Sequence, residues 1–158
     1  MPWRTLNGKV YGKLVMALNV EHLLRTANTL EQALIAIGNH GKRDDVMFDL
    51  YRNAAIKSFE LSLETAGKLL RKALKAYGGS PREVDKLVFN DVLRHAGQHS
   101  LLDSPAVERW LAYRANRNNT AHDYGDGFIN ETLKLLPDHL QDVRQLAPSL
   151  QAVFDASA

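Results

Sequence analysis

The stretch DVMFDLYRNAAIKSFELSLETAGKLLRKALKAY, residues 45–77, decides the fold class. Ala55, Phe59, Leu63, Ala66, Leu70, Ala73 and Tyr77 recur at three-and-four spacing, the period of a helix with one apolar face. Asp44 or Asp45 stands where an N-cap is needed, and Gly78-Gly79 supplies the stop. The reading is one long central helix. A second line of apolar residues, Leu50, Ala54, Leu61 and Leu69, predicts that it packs on more than one neighbour.

Working outward, Leu23, Ala27, Leu30, Leu34 and Ile37 give an amphipathic helix capped by Asn19 and closed by Gly38 and Gly41. Before it, Gly8 and Gly12 interrupt any helix, so residues 1–19 are read as a basic arm carrying Arg4, Lys9 and Lys13 and no acid. After the central helix, Ser80-Pro81-Arg82-Glu83 has a capping serine, a proline at the first helical position and a glutamate at the third. It predicts a helix to about Ala96 with Val84, Leu87, Val88, Val92 and Leu93 inward. Ser104-Pro105 repeats the start signal. The last helix carries Ile129, Leu133, Leu136, Leu140, Val143, Ala147, Leu150 and Phe154, with Pro137 and Pro148 expected to kink or segment it. No stretch alternates like a strand. The expected architecture is all-α, an antiparallel bundle of four to five helices over residues 20–158.

Composition narrows the function classes. A chain of 158 residues supports one domain. Lys and Arg number 20 against 18 Asp and Glu, so a basic surface, if present, is local. Without cysteine there are no disulfides and no thiolate metal sites, and a cytoplasmic location is the expectation. The longest nearly uncharged N-terminal run, Leu14 to Val20, is too short to span a membrane.

Chemistry concentrates in Arg117-Asn118-Asn119-Thr120-Ala121-His122-Asp123-Tyr124. An arginine, an imidazole and a phenol there offer a permanent cation, a group titrating near neutrality and a modifiable hydroxyl. Such a set permits phosphodiester cleavage without a metal: imidazole moves a proton on or off the ribose 2′-hydroxyl or the leaving oxygen, and guanidinium neutralises charge building on phosphorus. RNA is favoured because it carries that internal nucleophile. The bland alternative is that the polar residues make turn and capping bonds. On one straight helix Arg117 and Tyr124 share a face within about 20°, but His122 sits about 140° from Arg117. Convergence then needs a helix end, the reach of the arginine, or a second copy of the chain; a composite site across a two-fold interface is expected.

Arg109 and Arg114 extend the basic character and are candidate RNA contacts, with Tyr113 and Tyr124 able to stack on bases. Asp91, His95 and His99 share helical spacing, but Gly97 weakens that helix and no glutamate follows the first histidine as in HExxH. No metal site and no cofactor are expected.

The motif RNNTAHDY matches the RxxxxHxY pattern of the HEPN superfamily and resembles its HepT toxin branch, also described as nucleotidyltransferase substrate-binding proteins. Arg52-Asn53-Ala54-Ala55-Ile56 with Phe59-Glu60 and Lys68-Leu69-Leu70 looks like that family's long helix, Ser80 to Val84 like its next helix start, and Trp110 also fits. The resemblance runs from about Val20 to the C-terminus. It implies a HEPN-like bundle and a homodimeric, metal-independent endoribonuclease toxin with two motifs lining a shared cleft. Arg117 and His122 take the catalytic positions, Asn118 fits the polar position after the arginine, and Tyr124 takes that of the acceptor for AMP transfer by a cognate minimal nucleotidyltransferase antitoxin. The chain departs from the pattern in its longer N-terminal arm and in Gly67, where a larger residue is usual. The rival reading is a catalytically silent helical partner of a nucleotidyltransferase.

Overall fold

The computed structural model describes residues 8–41, 44–78, 80–120 and 126–157, and side chains over 20–41, 44–78, 80–118 and 127–157. Six helices follow one another: α1 (Gly8–Asn39), α2 (Val46–Ala76), α3 (Pro81–Lys86), α4 (Phe89–Gln98), α5 (Ser104–Thr120) and α6 (Asp126–Ser157). The described residues contain no strand. None of their helices is long and apolar enough to cross a membrane.

α1, α2 and α6 are each 31 or 32 residues long and pack against one another. At 1.5 Å per residue each is close to 47 Å. Leu23, Ala27 and Leu30 of α1 meet Ala55, Phe59, Leu63, Ala66 and Leu70 of α2 and Leu136, Val143, Ala147 and Leu150 of α6 in one core. α3, α4 and α5 lie against α2, and α5 also packs on α6. α5 contributes Trp110 and Tyr113, both fully buried. Polar ties fix the long helices in register. Arg144 on α6 pairs with Glu31 and donates to Asn28 on α1. The buried Thr132 hydroxyl on α6 reaches Asn116 Oδ1 on α5 at 3.0 Å, one residue before Arg117.

The expected central helix is α2. Asp45 is its N-cap, its side chain accepting from the Phe48 N–H at 2.9 Å. That bond, with His40 beside it, holds the Asp45 carboxyl below its ordinary value. The main apolar stripe is buried from Ala55 to Ala73. Of the second stripe only Leu69 is buried; Leu50 and Leu61 face solvent, so this line is not a packing face.

Four boundaries differ from the sequence reading. α1 begins at Gly8 rather than Asn19: each glycine costs only about 1 kcal/mol, which does not break a helix of 32 residues. The helix expected from Pro81 to Ala96 is two, which raises the count to six. Arg71 of α2 donates to the carbonyls of Val84 at 2.9 Å and Leu87 at 2.8 Å, and Leu87 and Val88 are extended. An acceptor pair taken by a neighbouring helix stops α3 where periodicity alone would continue it. α5 is capped not by Ser104 but by Asp103, whose Oδ1 accepts from the Ala106 N–H at 2.8 Å. α6 is not segmented at Pro137 or Pro148. Both prolines are exposed, so water can take the carbonyls their rings leave unpaired.

Candidate functional site

The last turns of α5 carry Arg114, Arg117 and Asn118, spaced so that all three leave the helix on one side. They face the solvent stripe of α2, where Lys57, Glu60, Glu64, Lys68 and Arg71 follow each other at three-and-four spacing. Between the two helices lies an open cavity of about 570 Å³ lined by Arg114, Arg117, Asn118, Lys57, Glu60 and Lys68, with Phe89 of α4 and Gly67 of α2 among its other walls.

Glu60 and Phe89 lie against the cations. The Arg117 guanidinium stands 3.9 Å from Glu60 Oε2, which is also 3.9 Å from Lys57 Nζ. Arg114 lies over the Phe89 ring with its guanidinium carbon 4.9 Å from the centroid, a stacking arrangement that attracts a cation to the ring face. Phe89 reaches that position because residue 67 is glycine. A Cβ on Gly67 would lie 2.4 Å from Phe89 Cε2. Gly67 is thus the seat of an aromatic ring that props an arginine in the cavity.

Of the residues nominated from the sequence, Arg114, Arg117 and Asn118 come together. His122 and Tyr124 lie outside the described residues. Arg109 points elsewhere, about 140° around α5 from Arg114, where its Nε and terminal nitrogen donate to Asp142 at 2.9 and 2.8 Å. Asp91, His95 and His99 do not assemble: Asp91 pairs with Arg94, and His99 stacks on Tyr77 at 4.4 Å. Among the described residues no three His, Cys, Asp or Glu side chains are placed to hold a metal ion.

Sequence reasoning missed a buried polar cluster behind α5. Asp142, 4% exposed, also accepts from the Tyr113 hydroxyl at 2.6 Å. Burial and that carboxylate push the Tyr113 phenol well above its ordinary value, and the bond to Asp142 raises Arg109 further. His139 is fully buried among Phe59, Trp110 and Tyr113, with ring centroids 4.8 to 5.5 Å away. Ser62 Oγ lies 3.0 Å from the Phe59 carbonyl and 2.7 Å from His139 Nε2, and its single proton serves one of the two. His139 Nδ1 has no hydrogen-bond partner among the described residues. The ring is neutral, burial holding its pKa down at about 3. One signal was available: His139 falls at three-and-four spacing between Leu136 and Val143, on the core stripe of α6.

Comparison with known proteins assigns the fold a family. The model of the family described as nucleotidyltransferase substrate binding protein like matches residues 18–152, most of the chain. The chain belongs to that family. Within the range of its relatives, a Haemophilus influenzae protein named Probable ribonuclease HepT is 28% identical over 110 residues, covering 68% of this chain and 74% of its own length. The solved structure of HI0074, also from Haemophilus influenzae and described as showing the fold of a substrate binding domain of a nucleotidyltransferase, superposes with a TM-score of 0.74 at 24% identity. That match covers 84% of this chain and 98% of the other. It establishes the bundle as a fold shared with that structure. In this family member the α2–α5 cavity is a place where polar and cationic side chains converge among the described residues.

Proposed function

We propose that this family member is a metal-independent endoribonuclease toxin of a toxin–antitoxin pair, acting as a homodimer with a composite cleft. The observation that carries the reading is the convergence of Arg117, Asn118 and Arg114 in one open cavity at the end of α5, in a chain similar to a protein named as a ribonuclease. In this reading Arg117 neutralises charge developing on the scissile phosphate, Asn118 orients phosphate, and His122 moves the proton of the 2′-hydroxyl or leaving oxygen. Glu60, 3.9 Å from the Arg117 guanidinium, is a carboxylate that an incoming phosphate would displace from beside it. Tyr124 is the acceptor for AMP transfer from a cognate minimal nucleotidyltransferase. An added phosphate next to Arg117 and His122 would occupy the cleft and cancel the cation meant for RNA.

The test is RNA cleavage in EDTA by wild type and by His122→Ala, together with mixtures of Arg117→Ala and His122→Ala protomers. Loss in each single variant with partial recovery in the mixture is expected from a shared cleft. Equal activity of wild type and His122→Ala, or strict dependence on divalent metal, would overturn the mechanism.

The family description itself favours a second reading, a non-catalytic partner that docks a nucleotidyltransferase and presents Tyr124 or a nucleotide to it. Tight association with a nucleotidyltransferase, without RNA cleavage or growth arrest on expression, would select it.

A further inference from the structure

The cavity holding Arg117 does not stop at α5. A second one of about 440 Å³ adjoins it and shares Leu61, Glu64, Lys68 and Arg71 with it, continuing along α2 past Lys72 to Lys75. Positions 57, 60, 61, 64, 68, 71, 72 and 75 all lie on one side of α2, the side opposite its core stripe. The two cavities therefore form one groove, about 22 Å long from Glu60 to Lys75 at 1.5 Å per residue.

The groove differs in charge from the rest of the molecule. Among the described residues, seven lysines and arginines and three carboxylates line it, a net of +4. The whole chain carries +2, so everything else sums to −2. The carboxylates do not block it. Glu64 pairs with Lys68 at 3.3 Å and Asp85 with Lys75 at 2.7 Å, with side chains from one-third to over two-thirds exposed; such surface pairs contribute less than about 1 kcal/mol each, so a phosphate can displace them. Leu61, 38% exposed, lies where the two cavities meet and offers an apolar floor. Arg114, propped on Phe89, stands on the α5 wall of the first cavity with Arg117.

We propose that the solvent face of α2 from Glu60 to Lys75 is a track for single-stranded RNA flanking the cleaved phosphate on one side. This rests on the cleavage reading above and adds the substrate class: an oligonucleotide rather than a dinucleotide. A stacked strand places one phosphate per 3.4 Å or so, and the groove then holds about six nucleotides, fewer if the strand is stretched. Lys68, Lys72 and Lys75 are the phosphate contacts farthest from the scissile bond, and Arg114 is the contact between them and Arg117.

The experiment compares wild type with the triple variant Lys68→Gln, Lys72→Gln, Lys75→Gln in two measurements. The first is kcat/KM on RNA dinucleotides and on random-sequence RNA of about twelve nucleotides, twice the length the groove holds at one phosphate per ~3.4 Å. The second is the salt dependence of binding to a labelled 2′-O-methyl RNA of similar length, which lacks the nucleophile and stays intact. Wild type is expected to prefer the longer RNA, and the triple variant to lose that preference. Losing three single-strand contacts flattens the slope of log affinity against log salt by about 2, so a fourfold rise in salt should weaken wild type about 20-fold more than the variant. Restoring charge with arginine at the three positions should restore both. Lys134→Gln, an exposed site on α6 outside the groove, should alter neither.

Unchanged length preference and unchanged salt slope in the triple variant would overturn the track. So would a variant that binds RNA normally but no longer binds a nucleotidyltransferase, which would make the groove a protein-docking face. If wild type cleaves no RNA at all, the cleavage reading fails, and the salt slope alone still decides whether the groove holds a strand.

Discussion

Gly67→Ala is a substitution whose sign separates local propensity from packing. Gly67 lies in the middle of α2, where alanine would add about 1 kcal/mol of helix stability. The new methyl, however, would meet Phe89 Cε2 at 2.4 Å, Cδ2 at 3.1 Å and Cζ at 3.3 Å. Contacts that short force the ring to move, and overpacking of this kind costs about 1–3 kcal/mol. The expected net result is a loss of up to about 2 kcal/mol, or a fall in Tm of up to about 6 °C for a domain of this size. The same change in a Phe89→Ala background meets no ring and should stabilise by about 1 kcal/mol. The double-mutant cycle, read by thermal and urea unfolding, thus predicts a coupling of about 1–3 kcal/mol between positions 67 and 89. The displaced ring would also leave Arg114 without its support, so KM for RNA should rise in Gly67→Ala. Stabilisation by Gly67→Ala with Phe89 in place would refute the claim that this glycine seats the ring.

Two further predictions concern the buried cluster behind α5. Asp142→Ala leaves the buried Tyr113 hydroxyl without its acceptor, while Arg109, 39% exposed, can turn to water; the expected cost is about 2–3 kcal/mol, seen as a Tm drop of about 5–10 °C. His139 is neutral when folded, with its pKa lowered to about 3, and takes a proton near 6.5 when unfolded. The unfolded state therefore binds the extra proton between those values. The contribution is fully present above about pH 6.5 and declines as pH falls toward 3, with a slope of about 1.4 kcal/mol per pH unit from this group. Urea unfolding of His139→Gln across that range should show a flatter acid limb than wild type; parallel limbs would show that His139 is not the group responsible.

The residues show why some of this was readable and some was not. α2 was legible because its cap, its stop and its core stripe are all local: Asp45, Gly78 and the run from Ala55 to Ala73 sit within or next to the helix they define. The break between α3 and α4 was not, because it depends on Arg71 reaching over from another helix to the Val84 and Leu87 carbonyls. The cap of α5 was misassigned by one residue because Asp103 and Ser104 are both good caps and only the hydrogen bond to Ala106 chooses between them. At the site, Arg117 was singled out by its motif, Asn118 by the resemblance and Arg114 by standing one turn before Arg117, whereas the α2 half of the cavity lies some fifty residues earlier in the chain and carries no motif of its own. Arg109 has the same composition signal as Arg114; what separates them is the angle around α5 and a carboxylate on α6. Gly67 looked like a departure from a pattern, and the structure gives it a physical role through Phe89.

In the cleavage mechanism proposed above, Arg117 and His122 drive attack by the ribose 2′-hydroxyl. The most direct measurement is the chemistry of the ends left after RNA is incubated in EDTA with wild type and with His122→Ala. Wild type should leave 2′,3′-cyclic phosphate and 5′-hydroxyl ends and should not cleave where the 2′-hydroxyl at the cut is replaced by hydrogen, and activity should fall about 100-fold or more in His122→Ala. Ends bearing a 5′-phosphate and 3′-hydroxyl, or cleavage that survives removal of the 2′-hydroxyl, would contradict the mechanism.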